Sequence, residues 1–360
     1  MVGSGARGSK SRGVIRLADV ARAADVGTSI VSRVLNGDPT VSIRPETRLR
    51  IETAARELNY RPNAFARGLK LRRTMTLGMV IPNLAYPVNG EIIRGAERTA
   101  AAAGYVTLLA DADEFLQSGE AYRRLLLEQR VDGLLIASAS TSEQLLSELS
   151  RSGLPFVLVN RRASHVGPSI TVDDAAGVEL VVQHLLSLGH RRIAHIAGPQ
   201  AADTARRRAK GFRSGMRAAK LTVRAGYVVE APYTEEGGFR AVRQLLGLAT
   251  PPTAIVSWSL AAAVGAIAGA KQLGVRVPDE LSIVAFHDAP LAEYLDPPLT
   301  TVRMPLGEMA ERAVEALLEM IGGARVRSQV VQTPPVLMAR GSTAAAPGLD
   351  NDSGGWKESP

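Results

Sequence analysis

The sequence predicts a small all-α domain at the N-terminus, then an α/β body in two lobes, each a parallel sheet flanked by helices. Three observations lead there. The first is where the charge lies. The 360 residues carry a net +8, but residues 1–73 hold 15 Lys and Arg against 6 Asp and Glu, and the remainder hold 28 against 29. A basic module on a neutral body is what phosphate binding requires, although a solvated tail has the same balance. The second is a change of texture at Thr76: short helical patterns with polar turns give way to apolar runs alternating with amphipathic stretches. The third is size. About 270 residues of that alternation exceed one ordinary doubly wound sheet, so two lobes are expected.

Taken in order, residues 1–13 are Gly, Ser, Arg and Lys and read as a disordered basic tail. A domain over 14–60 follows. Leu17, Val20, Ala21 and Ala24 share one helical face. Asp25-Val26-Gly27 makes a tight turn, with Gly27 free to take an unusual backbone angle. A second helix, from Thr28 to about Asn36, buries Val31, Val34 and Leu35 and presents Ser29, Ser32, Arg33 and Asn36. Pro45 opens a third helix, whose Ile51, Ala54, Ala55 and Leu58 pack back on the pair. This is a helix-turn-helix arrangement. Its short, polar, basic face can enter a major groove, where Arg33 would meet guanine and Asn36 or the serine hydroxyls would contact base edges or phosphates. A small helical domain with a solvated polar face would leave the same pattern.

Residues 61–73 form a basic linker, and the body spans 74–343. Its strand-like runs are 76–82, 106–111, 132–138, 155–160, 169–173, 192–198, 253–259 and 281–286, with helical stretches such as 91–103, 175–188, 205–219 and 261–273 between them. Strands alternating with helices give parallel sheets covered on both faces. Residues 344–360 are rich in Pro, Gly, Asp and Ser and read as a second disordered tail; no heptads suggest a coiled coil.

The segments Leu17-Ala-Asp19-Val20-Ala21, Val31-Ser32-Arg33-Val34-Leu35-Asn36, Leu58-Asn59-Tyr60-Arg61-Pro62-Asn63 and Ala66-Arg67-Gly68-Leu69 resemble the N-terminal module of the lactose-repressor (LacI/GalR) family. Val182 to Pro199 and Pro297-Pro298-Leu299-Thr300-Thr301-Val302 resemble its regulatory domain, so the likeness runs from about Leu17 to Gly341. It implies a sequence-specific, DNA-binding transcriptional regulator, in the sense of a repressor, that acts as a homodimer on a pseudo-palindromic operator. The base-reading positions would be Thr28, Ser29 and Arg33, with Ser32 and Asn36 favouring phosphates. In the family, the linker folds into a short helix on the operator and presses a Leu into the minor groove. Leu69 stands there, flanked by Ala66 and Lys70. Gly27 departs from the pattern, because the family has Ser or Thr there to cap the recognition helix.

The resemblance also implies a body with the two-lobed periplasmic-binding-protein-like fold, closing on a small-molecule effector. Its contact positions map to Val88 and Asn89, Asp173, Arg208, Tyr233, Ser259, His287 and Met304. Asp173 could equally be the N-cap of the helix that follows it, and a run such as Arg206-Arg207-Arg208 is ordinarily a solvated face. The departures are informative. Ser259-Leu260 stands for the family's Asn-Asp, His287 for Asp, Met304 for Gln, and Val88-Asn89 where aromatic residues are frequent. Groups that grip vicinal sugar hydroxyls are missing, which argues against an ordinary hexose. A less hydroxylated, anionic or aromatic effector would suit Arg208, His287 and Tyr233, or else the site is degenerate.

Other classes are disfavoured. The chain has no Cys and no uninterrupted run of 18 apolar residues. No apolar stretch follows the basic start, so a secretory signal is not expected and the location is cytoplasmic. The five histidines lack metal spacing, and His190 is read as a cation at a helix end. No phosphate-binding loop, nucleophile elbow or dinucleotide fingerprint occurs, so neither enzyme activity nor a cofactor is expected. The alternative is a small-solute-binding protein without a transcriptional role.

Overall fold

The computed structural model describes residues 15–36, 38, 40–60, 73–84, 86–112, 130–138, 143–163 and 166–348. The expected tail over 1–13 and the expected linker contacts Ala66, Leu69 and Lys70 lie outside them. The chain divides into two compact units between Met75 and Thr76.

The first unit holds α1 (Leu17–Ala23), α2 (Thr28–Leu35) and α3 (Pro45–Glu57). Val20, Val31 and Ile51, one from each helix, are fully buried, with Ala21, Ala24, Val34, Val41, Ala54 and Ala55 around them. The turn differs from expectation in one respect. Asp25 takes the left-handed conformation at φ +50, whereas Gly27 is extended at φ −67 and ψ 144 as the residue before α2. Asp tolerates that region because its short carboxylate can bond locally, so the glycine's freedom is not needed.

The second unit carries two six-stranded sheets. The first is ordered β2 (Val106–Asp111), β1 (Thr76–Ile81), β3 (Gly133–Ile136), β4 (Phe156–Val159), β5 (Ser169–Thr171) and β11 (Gln329–Val330), all parallel. The second is ordered β7 (Val228–Glu230), β6 (Ile193–Ala197), β8 (Ala254–Ser257), β9 (Ser282–Phe286), β10 (Thr300–Arg303) and β12 (Val336–Met338), with β12 alone antiparallel. Helices α4 (Asn89–Ala102) and α5 (Glu143–Ser152) connect strands of the first sheet. Helices α6 (Asp174–Ser187), α7 (Asp203–Ala218), α8 (Glu235–Leu246) and α9 (Leu260–Gln272) belong with the second. The last helix, α10 (Leu306–Ile321), follows β10 but packs on α4, β3, β4 and β5.

The chain therefore crosses between lobes after β5, after β10, and between β11 and β12. All three crossings leave from strand carboxyl ends, and bonds between residues that follow those ends in the two sheets place the carboxyl edges of both on one cleft. In each sheet the order reverses next to the first strand, between β1 and β3 and between β6 and β8, and such reversals are where open α/β sheets hold ligands.

Helices α8 and α9 meet backbone to backbone. A Cβ on Gly238 would lie 1.8 Å from the Ala262 carbonyl oxygen, and one on Gly265 would lie 1.7 Å from that of Glu235. The chain beyond 343 is also tied in: Ala344 N–H donates to Ser282 Oγ at 3.1 Å and Ala346 N–H to Leu188 O at 2.8 Å. His190 is not the helix-end cation expected from sequence. It is fully buried among Thr253, Ser282 and the Ala344 carbonyl, and burial lowers its pKa.

Candidate functional site

Two polar surfaces stand out, one in each unit. On α2, Thr28, Ser29 and Asn36 are exposed and Ser32 and Arg33 half-exposed, above the buried Val31 and Val34. Apolar residues at helical spacing anchor one side, which fixes the direction of the other. Arg33 does not extend freely. Its Nε donates to Asp38 Oδ2 at 2.8 Å and its Nη2 to Thr40 Oγ1 at 2.8 Å. The same guanidinium, helped by Thr40, holds the Asp38 carboxyl far below the usual carboxylate range. Asn36 donates to Ser32 O at 2.6 Å and so closes the end of α2. Asp38 and Thr40 thus pre-position the long side chain on this face, and sequence reasoning missed both. No side chain caps α2 at Gly27, in keeping with the departure noted from sequence.

The second surface is the cleft. Arg208 is 2% exposed and bound on every side: Nε to Asp174 Oδ1 at 2.6 Å, Nη1 to Trp258 O at 2.6 Å, and Nη2 to His287 Nε2 at 2.8 Å. Its plane lies over the Phe286 ring, 4.6 Å from the centroid. Arg207 reaches the other oxygen of Asp174 and pairs with Asp203 at 2.9 Å. Because a guanidinium can only donate, His287 Nε2 must accept, which leaves the proton on Nδ1. Burial and the Arg208 charge push the His287 pKa well below its ordinary value, so the ring is neutral. It sits at φ +68 directly after β9.

Trp258 directly follows β8 at the reversal point of the second sheet. It is 1% exposed and packed so closely on Gly198, at the end of β6, that a Cβ there would meet the ring at 2.4 Å. The Tyr233 ring lies 3.9 Å from it, tilted by 54°. Bonds across the cleft join the lobes: Arg162 N–H to Asp203 Oδ2 at 3.0 Å, Arg207 Nη2 to Asn160 O at 3.3 Å, and Ala261 N–H to Tyr86 Oη at 3.4 Å.

The cleft gathers Arg208, Tyr233, His287 and Ser259. Met304 lies beneath, 1% exposed, its sulfur against Gly177 of α6. Three expected positions have local duties. Asp173 caps α6 by accepting the Ala176 N–H at 3.0 Å. Ser259 caps α9 through the Ala262 N–H at 3.2 Å. Asn89 donates to Pro82 O at 2.6 Å and Asn83 O at 3.0 Å, pinning the loop after β1, while Val88 is buried before it. Sequence reasoning missed Asp174 and Trp258. Two adjacent acids at a helix start look alike until the helix fixes which faces inward, and Trp258 was read as the interior of the run 253–259. Among the described residues no cluster of His, Asp and Glu could hold a metal ion, and no helix is long and apolar enough to cross a membrane.

A three-helix unit with an exposed recognition helix, joined to a two-lobed sensor body, defines a helix-turn-helix transcriptional regulator. Residues 16–63 match the family model for bacterial regulatory proteins of the lacI family, and residues 182–343 that for the periplasmic binding protein-like domain. The ribose operon repressor of Escherichia coli is 37% identical over 327 residues, covering 90% of this chain and 98% of that protein. The repressor CytR of the same organism is 34% identical over 342 residues, covering 95% and 100%. The crystal structure of the Lac repressor dimer bound to operator and an anti-inducer superimposes with a TM-score of 0.77 at 27% identity, covering 92% of this chain and 99% of that one. The chain belongs to the lacI family of bacterial regulatory proteins. Its similar proteins are transcriptional repressors rather than enzymes.

Proposed function

We propose that two copies of this chain repress transcription in the cytoplasm by binding a pseudo-palindromic operator. Thr28, Ser29, Ser32, Arg33 and Asn36 would read or grip the major groove, and Ala66, Leu69 and Lys70 the minor groove. An effector held in the cleft would bias the closed and open arrangements of the lobes and so the affinity for DNA. The observation that carries this reading is the polar face of α2, with Arg33 held ready by Asp38 and Thr40. Leu291 and Tyr294, 48% and 82% exposed after β9, give the body apolar side chains that a second copy would cover.

Within the cleft, Arg208, Tyr233 and His287, with Asn89, Asp173, Ser259 and Met304 around and beneath them, would set effector choice, and an ordinary hexose is not the expected occupant. A mobility-shift titration against the DNA upstream of the protein's own gene tests the reading. Arg33→Ala should cost roughly 1–3 kcal/mol in operator binding and relax base preference at one position. Equal weakening on all sequences would reduce Arg33 to a phosphate contact. A wild-type chain with no preference among sequences would leave the solute-binding alternative.

A further inference from the structure

The chemistry of the cleft narrows the effector further, an inference that rests on the cleft being the effector site. Its carboxylate acceptors are already engaged. Asp174, 1% exposed, is shared by Arg207 and Arg208, and Asp203 by Arg207 and the Arg162 N–H. Directly after β8 and β9, the groups left unpartnered are donors: His287 Nδ1–H and Trp258 Nε1–H are buried without a hydrogen-bond partner, on residues 7% and 1% exposed. Both residues directly follow adjacent strands, β8 and β9, and both are bonded to the same Arg208 guanidinium. Buried donors without partners carry a desolvation cost that an acceptor on a ligand would relieve.

The neighbouring charges have the same bias. Arg161, Arg162, Arg207 and Arg208 border the cleft against Asp174 and Asp203, with Asp173 exposed at the rim. Arg161 is 8% exposed after β4 and close enough to Tyr233 to influence its titration. Tyr233, 44% exposed and tilted by 54° over the buried Trp258, supplies the aromatic surface. In the first lobe, directly after β4, Asn160 Oδ1 is a buried acceptor without a partner, on a residue whose backbone carbonyl accepts from Arg207 across the cleft.

We infer that the effector is an aromatic carboxylate bearing a hydroxyl or amino substituent: its ring packs against Tyr233, its carboxylate accepts from His287 and Trp258, and its substituent donates to Asn160. A polyol needs acceptors for its many hydroxyl protons, and this cleft has used its carboxylates internally.

The chain has two tryptophans, so Trp356→Phe leaves Trp258 as the sole indole reporter in the full-length protein. Titration with 4-hydroxybenzoate and 4-aminobenzoate, against ribose and cytidine, should change Trp258 fluorescence with the acids and not with the neutral compounds. His287→Asp, which replaces the donor by a carboxylate, should weaken the acids at least tenfold, while His287→Asn, which keeps a donor, should weaken them less. Ribose or cytidine changing Trp258 emission while neither acid does would overturn the aromatic-acid assignment and keep the cleft as the effector site. An acid that binds by calorimetry without changing Trp258 emission and without responding to His287→Asp would place its site elsewhere and overturn both. No binding of either acid at millimolar concentration would overturn the assignment alone.

Discussion

On α2 the polar side chains stand in or near solvent above an apolar core, and what bonds they make, Arg33 to Asp38 and Thr40 and Asn36 to Ser32, are local. In the cleft, the polar groups are the core: Asp174, Arg208 and His287 are as buried as the strands around them and bond mainly to one another. The reading face is free to meet a partner because its residues owe little to the fold. The cleft residues both hold two helices and two strands together and face the ligand, so changing ligand choice there also changes stability.

The largest test of this contrast is Arg208→Ala. It removes one of the two cations on a fully buried carboxylate and leaves the Trp258 carbonyl without its donor. The body should lose about 3–5 kcal/mol, read as a lower thermal or denaturant midpoint. A midpoint within a degree of wild type would break the contrast, making Arg208 a ligand contact and nothing more. Acid is the next probe. Histidine occurs in the body and not in residues 15–60, and burial holds His195 at about 4. With the folded pKa below the unfolded value, the unfolded chain takes the proton first as pH falls through 6.5. The stabilisation is complete above that and declines toward 4, so His195 alone should cost about 2 kcal/mol at pH 5 relative to pH 7. His190 and His287 shift in the same direction. Calorimetry should show the body weakening while the three-helix unit keeps its midpoint; equal losses in both units would argue against the buried histidines as the cause.

The smallest expected effect is at Gly27, where an added side chain would meet nothing within 4 Å. Gly27→Ser should stabilise α2 by a few tenths of a kcal/mol through a restored cap, seen as a slightly higher midpoint of that unit. A destabilising Gly27→Ser would mean that the residue before α2 does not hold the extended conformation a serine cap requires.

Much of this was legible in the sequence where one periodicity dominates. The helices of the first unit and eight of the strands announce themselves by apolar spacing or apolar runs, whereas β7, β10, β11 and β12, two to four residues each, show no clear period. Arg208 is the instructive case. Read as part of a charge run, it belongs on a solvated face. Read on the helix, it falls in register with Ala205, Ala209, Phe212 and Met216, all buried, and an arginine on a core stripe needs a buried carboxylate. That carboxylate could not be named from the sequence, because the adjacent Asp173 caps the helix while Asp174 turns inward. Trp258 was hidden for another reason: its role depends on Gly198, sixty residues away, being small enough to accept the ring.

The backbone contact between α8 and α9 has a mechanical meaning. Tyr233 immediately precedes the cap of α8, and Trp258 immediately precedes that of α9. With Gly238 and Gly265 allowing no side chain between the helices, the two aromatic rings are mounted on one stiff block and cannot open independently. Any widening of the cleft has to be absorbed by the three lobe crossings, so the jaw that grips the ligand moves as a lever rather than as a set of adjusting fingers.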